Sequence, residues 1–277
     1  MPGKGLNSMK LTKWLTIVLY FGMIFCLSLQ PLPEVSAQSL EHTNVDSAEL
    51  TEIVRGWLHP ADEDSSQNNQ PIENVEKVVY LTFDDGPDPV WTIQILRLLE
   101  RYQAKATFYM IGYNVVSHPE VVREIARRGQ TIGVHGFNHY DLSAAGYSYF
   151  YAEVHDTEMA ITDAMQGNPE LVKQLGHCMR PPYGRKSALL STNAEAMGYE
   201  VSMWNIDTKD WTGLEPEVIL SHLRDALEPD KVILMHDGGL DRENTVEALE
   251  LILHELLMQG YNALPYCTQN GQAIKSP

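Results

Sequence analysis

From residue 77 onward the chain repeats one unit, and that repetition limits the fold more than any other property of the sequence. The unit is a short apolar run, a cluster of ionisable residues, an amphipathic helical stretch and a glycine. Apolar runs stand at Val78–Leu81, Ala106–Ile111, Thr131–Val134, Tyr199–Trp204, Lys231–Met235 and Tyr261–Leu264, and the segment His177–Arg180 brings the strand count to seven. Their β-branched and aromatic content suits buried strands. Helical spacing covers Trp91–Tyr102, Lys186–Met197, Pro216–Leu227 and Thr245–Gln259. Ser117-His118-Pro119-Glu120 reads as a capping-box start for a further helix that ends at Gly129. Glycine just past a helix supplies the left-handed cap, as at Gly198 and Gly260. Strands that alternate with helices run parallel, which leaves a barrel or a doubly wound α/β sheet.

The ionisable residues follow the strands instead of scattering over the helices. Asp84-Asp85 follow one, His135 and His139 another, Asp207 and Asp210 a third, His236-Asp237 a fourth. In a parallel α/β protein the strand C-termini share one face, so these clusters converge there. Each alone could be a solvated loop, and Asp84-Asp85-Gly86 alone could be an Asp-Gly turn. Adjacent side chains at a strand tip meet different surroundings, so one aspartate can hold a cation while the other takes a proton. His135-Gly136-Phe137-Asn138-His139 sets two imidazoles four apart. Two histidines and one carboxylate with an open position form a catalytic metal arrangement. His118, His155, His222 and His254 stand apart from these clusters and read as ordinary polar residues.

Residues 1–37 have the layout of a secretory signal: Lys4, Lys10 and Lys13, an uncharged stretch from Leu15 to Leu29, then Val35-Ser36-Ala37. Cleavage after Ala37 removes three lysines and one glutamate, taking the net charge from −17 to −19. Such a surface repels nucleic acid and favours a neutral substrate or a cationic product. Residues 38–76 carry Asp62-Glu63-Asp64-Ser65-Ser66-Gln67-Asn68-Asn69-Gln70, too polar to build a core, and read as a flexible acidic stalk, with a short helix expected around Ala48–Leu58. The domain expected to fold is 77–267, with 268–277 as a tail. Cys178 and Cys267 can pair in an oxidising compartment, but spacing alone does not decide it. The chain has no GxSxG, GxxxxGK or GxGxxG, which disfavours serine hydrolases and nucleotide enzymes.

Five motifs in order resemble those of the polysaccharide deacetylases, carbohydrate esterase family 4, also called the NodB homology domain. They are Thr82-Phe83-Asp84-Asp85-Gly86, His135-xxx-His139, Arg180-Pro181-Pro182-Tyr183-Gly184, Asp207-xx-Asp210-Trp211 and Leu234-Met235-His236. The resemblance implies a distorted (β/α) barrel of seven parallel strands and hydrolysis of acetyl groups on a polysaccharide. It implies that Asp85, His135 and His139 hold a divalent metal, most often zinc, with cobalt, nickel or manganese as alternatives. It assigns Asp84 as general base paired with Arg180, and His236 as general acid tuned by Asp210. Tyr183 would lend its backbone N–H to the oxyanion, and Trp211 and Leu234 would line a pocket for the acetyl methyl. One departure is Gly136, which stands where the family carries a Ser or Thr hydroxyl that braces the metal loop.

Two other functions share some of these residues. A glycoside hydrolase could use Asp84 within a carboxylate pair, but that leaves His135, His139 and His236 unexplained. A non-catalytic carbohydrate-binding protein on the same fold would be expected to have lost a ligand or the acid, and every such residue is present. The expected partner is an acetylated polysaccharide, N- or O-linked, such as peptidoglycan, chitin oligomers or xylan. No nucleic acid is expected, membrane contact comes only through the export signal, and the protein is expected as a monomer, secreted or in the cell envelope.

Overall fold

The computed structural model describes residues 77–267; the signal segment, the stalk with its expected helix, and the tail lie outside the described residues. Eight strands form one sheet: β1 (Lys77–Asp84), β2 (Ala106–Met110), β3 (Thr131–Val134), β4 (Leu175–Met179), β5 (Glu200–Val201), β6 (Ile206–Asp207), β7 (Lys231–His236) and β8 (Tyr261–Leu264). Seven run in the order β5-β4-β3-β2-β1-β7-β6, and β8 pairs β1. Every pairing is parallel. β8 runs beside Lys77–Tyr80, and β2 takes over the same edge of β1 from Leu81 to Asp84. The result is a curled half-barrel, the distorted (β/α) barrel that the motifs imply.

β1 is buried on both faces, as expected for a central strand of a parallel sheet. Its odd residues Val79, Leu81 and Phe83 pack into the large core beneath the helices. Phe83 stacks on its register partner Phe108 with ring centroids 5.1 Å apart. Its even residues face the other way: Val78 and Tyr80 join Val232, Trp204, Leu264 and Tyr266 in a second cluster. Thr82 and Asp84 continue that inner row, so strand alternation itself delivers Asp84 to the concave side.

Eight helices connect the strands: α1 (Trp91–Arg101), α2 (Gly112–Ser117), α3 (Pro119–Arg127), α4 (Tyr147–Ala164), α5 (Pro169–Val172), α6 (Ala188–Ala196), α7 (Pro216–Arg224) and α8 (Glu243–Met258). Five of them match the spacing read from the sequence. α4 is the longest and does not show in that reading. It buries Glu153 and Thr157 beside Phe150, Val154 and Ile161 while exposing Tyr147, Tyr149 and Tyr151, which blurs the usual polar and apolar faces. The expected capping box at Ser117 does not form. α3 starts on Pro119, and the Ser117 hydroxyl donates back to the Tyr113 carbonyl at 2.9 Å, closing α2 instead.

The single strand expected over Tyr199–Trp204 is also broken. β5 holds only two residues, and the chain then leaves the sheet to bring the Met203 carbonyl and the Trp204 ring to Arg180. Cys178 and Cys267 form a disulfide with Cα atoms 6.0 Å apart. It ties the segment after β8 to β4, beside Tyr109 and over the Thr107 hydroxyl, which accepts from the Tyr266 and Cys267 amides. Among the described residues no helix is long and apolar enough to cross a membrane.

Candidate active site

The strand register assembles the site. Asp84 is the β1 partner of His236 on β7 and of Tyr109 on β2, so all three side chains share the concave face. Arg180 follows β4, and its amide donates to the Val134 carbonyl, which sets it beside His135. Each group therefore comes from a different strand end, as the clusters in the sequence suggest.

Asp84 is buried, and its Oδ1 accepts from Arg180 Nη1 at 2.8 Å. The same Nη1 donates to Thr82 Oγ1 at 2.8 Å, and Nη2 donates to the Met203 carbonyl at 3.2 Å. The guanidinium also lies 4.2 Å from the centre of the Tyr109 ring and 5.5 Å from that of Trp204. These contacts fix a fully buried cation beside one carboxylate oxygen and leave Asp84 Oδ2 facing His135 Nε2 at 3.8 Å.

Asp85 turns away from the strand with φ 75°, and Asn114 Nδ2 holds its carbonyl at 2.8 Å. Its Oδ1 lies 3.5 Å from His135 Nε2 and 3.2 Å from His139 Nε2. That oxygen is buried and has no hydrogen-bond partner. Burial pushes the Asp85 carboxyl up, but the close approach and charge of His135, with the charges of His236 and His139, hold it at about 2. His135 Nδ1 donates to the Arg180 carbonyl at 2.7 Å, which leaves Nε2 with its lone pair toward Asp85. One donor atom from each of Asp85, His135 and His139 lies within 4.8 Å of the others. An orphaned anionic oxygen, a histidine locked in the ligating tautomer and a second imidazole suit a divalent cation such as zinc.

His236 ends β7, and its Nδ1 donates to Asp210 Oδ1 at 2.9 Å. Asp210 Oδ2 accepts from the His236 amide at 2.8 Å and from Thr245 Oγ1 at 3.0 Å. Burial pulls the His236 imidazole down, but the hydrogen bond and charge of Asp210, with Asp84 and Asp85, reverse this and raise it. Asp207 acts locally, its carboxylate accepting from the Lys209 amide at 2.9 Å and shaping the turn that aims Asp210.

Tyr183 sits in a short turn with φ 60° and ψ 10°, its ring 4.6 Å from the His139 ring. A Cβ on the next residue, Gly184, would lie 2.4 Å from the Trp204 ring, so only glycine lets the turn rest on that indole. Leu234 is buried two residues before His236 and shares its face, and Trp211 is half-exposed next to Asp210. Two buried polar residues, Arg242 and Glu153, escape sequence reasoning, and a third, Asp237, reads only as part of a strand-end cluster. Asp237 accepts from Thr92 Oγ1 at 2.5 Å. Burial, opposed by that bond and reinforced by Asp85 and Asp84, pushes its carboxyl up to about 7. Arg242 donates through Nε to the Gly238 carbonyl at 2.7 Å and braces the loop beside Asp85. Glu153, on the unexpected helix α4, touches the loop between the two histidines. Asp237 stands in the His236-Asp237 cluster without an assigned role; the other two carry no local signal.

A family model described as polysaccharide deacetylase matches residues 72–202. A peptidoglycan-N-acetylglucosamine deacetylase of Bacillus cereus is 37% identical over 194 residues, covering 69% of this chain and 86% of that protein. A chitooligosaccharide deacetylase of a Bradyrhizobium species is 33% identical over 199 residues, covering 68% of this chain and 88% of its own length. The solved family 4 carbohydrate esterase of Streptomyces lividans, in complex with acetate, superimposes with a TM-score of 0.63 at 28% identity, covering 73% of this chain and 100% of that one. Sequence likeness over most of the relatives' length, the shared fold and the grouped strand-end residues agree, and the chain belongs to the polysaccharide deacetylase family and is a hydrolase of that kind.

Proposed function

We propose that this chain removes the N-acetyl group from an N-acetylhexosamine polymer of the cell envelope, in a reaction that depends on one divalent metal, with zinc the first candidate. The observation that carries this reading is the register pair Asp84 and His236, an Arg-paired carboxylate beside a carboxylate-backed imidazole, next to the Asp85, His135 and His139 donors. A metal held by those three residues would acidify a water to a pKa of roughly 7 and polarise the acetyl carbonyl.

The remaining chemistry belongs to the chain. Asp84, held by Arg180, accepts the proton of the attacking water. The new C–O bond forms as the carbonyl oxygen gains charge, and the Tyr183 N–H is the donor assigned to that oxyanion. The amide C–N bond then breaks, and protonated His236 gives its proton to the departing nitrogen. Asp210 raises the His236 imidazole, which keeps that proton available near neutral pH. The products are acetate and a sugar amine that becomes cationic, which suits an acidic chain. Trp211 and Leu234 are the side chains assigned to the acetyl methyl. The layout of residues 1–37 supports export, and the names of the relatives support peptidoglycan or chitin-type glycans as substrate.

The test is acetate release from peptidoglycan and from chitooligosaccharides, with chelator and with zinc or cobalt added back. Chelation should abolish release and metal should restore it. Full activity in metal-stripped protein would refute the metal dependence. New reducing ends without acetate would favour a glycoside hydrolase.

A further inference from the structure

The loop His135–His139 must satisfy a demanding geometry. Its two end residues bring imidazole nitrogens within 3.5 and 3.2 Å of the same Asp85 oxygen. To do so the loop takes φ 77° at Gly136 and φ 58° at His139, the second costly for a residue with a side chain. A turn built this way keeps its shape only if its surroundings over-determine it.

Two elements grip it from opposite sides. On one side the amides at the start of α2 donate to its carbonyls: Gly112 to Gly136 at 3.0 Å and Tyr113 to Phe137 at 3.0 Å. On the other side stands Glu153, a carboxylate only 3% exposed. Its Oε2 accepts from the Phe137 amide at 2.8 Å and from the Asn138 amide at 2.9 Å. Its Oε1 accepts from Asn138 Nδ2 at 2.8 Å. Tyr149 lies at the same carboxylate; burial, then the charge and hydrogen bond of Glu153, hold its phenol up. Gly136, with no hydroxyl of its own, would place a Cβ 3.5 Å from Glu153 Oε2, so the carboxylate fills the space against the loop.

Burying a carboxylate is expensive unless donors meet it. Here, besides Tyr149, three donors belong to the one loop that joins two candidate metal ligands, and a charged acceptor holds N–H groups about twice as strongly as a neutral one. We propose that Glu153 is a positioning residue for the metal: it clamps the His135–His139 loop from α4 so that both imidazoles meet Asp85. Glu153 touches neither the metal nor the substrate and acts through the loop's amides. This rests on the metal reading of Asp85, His135 and His139.

The experiment is zinc titration by calorimetry on metal-stripped parent, Glu153→Ala, Glu153→Gln and Asn138→Ala proteins, with a thermal melt of each in chelator. Loss of such an outer partner weakens metal binding roughly ten- to hundredfold. Glu153→Ala should show that loss. Glu153→Gln should show part of it, because an amide –NH2 then opposes an N–H donor. Asn138→Ala, which removes one of the three bonds, should show the smallest loss. At saturating zinc, turnover of all three should return close to the parent value. If Glu153→Ala fails to fold, the graded losses in the other two variants carry the test. Parent-like zinc affinity in Glu153→Gln and Asn138→Ala would overturn the clamp, as would turnover that stays low at saturating zinc with affinity unchanged. A parent protein that binds no zinc would instead overturn the metal reading itself.

Discussion

Replacing Arg180 by methionine isolates what holds Asp84 ready. The two side chains are 0% and 5% exposed and meet at 2.8 Å, so the pair is sheltered from solvent. Methionine keeps most of the packing against Tyr109 and Trp204 but leaves a buried carboxylate with no cation. Breaking a buried pair from one side costs about 3–5 kcal/mol. For a domain of this size each kcal/mol is about 2–4 °C of melting temperature, so Arg180→Met should melt roughly 6–20 °C below the parent. The melts belong in chelator, because a bound cation next to Asp84 would mask the effect. The double variant Asp84→Asn/Arg180→Met should recover part of the loss, since it removes the stranded charge. Turnover should fall as well, because a base without its partner is no longer aimed. Melting within about 2 °C of the parent would refute the ion pair's role, and strictly additive losses in the double variant would show that packing, not charge, sets the cost.

The adjacent aspartates should separate. Asp84→Asn should keep zinc affinity and lose turnover, and Asp85→Asn should weaken zinc binding too, both read by calorimetry and acetate release; equal metal loss in the two would reverse the assignment. Asp210→Asn removes the group that raises His236, so the alkaline limb of the pH–rate profile should move to lower pH with zinc affinity retained. The stability sign follows from the same direction. A raised His236 adds stability below the ordinary imidazole value, and that stability fades as pH rises through the folded value. Parent protein should therefore lose its melting advantage over Asp210→Asn as pH rises across that window, and an advantage that grows instead would show that Asp210 does not hold the charged imidazole.

Periodicity and strand-end clusters were enough to read parallel βα units, seven of the eight strands and a site on one rim, because each depends on short-range rules. Apolar runs, helical spacing and glycine caps act within a few residues. Asp84, Asp85, His135, His139, Asp210 and His236 stand in clusters next to strands for the same reason, whereas Arg180 enters only through the family resemblance. What the sequence could not supply is which oxygen meets which nitrogen. Strand register pairs Asp84 with His236 across a span of about 150 residues. The break after β5, which sends Met203 and Trp204 to Arg180, and the Cys178–Cys267 disulfide are likewise products of the curled sheet. Glu153 and α4 show the limit most clearly. A buried carboxylate on a helix with exposed tyrosines looks, by pattern alone, like a solvent-facing stretch. Only when α4 packs against the histidine loop do three N–H donors turn that carboxylate inward, because a buried charge becomes tolerable solely where the fold supplies its donors.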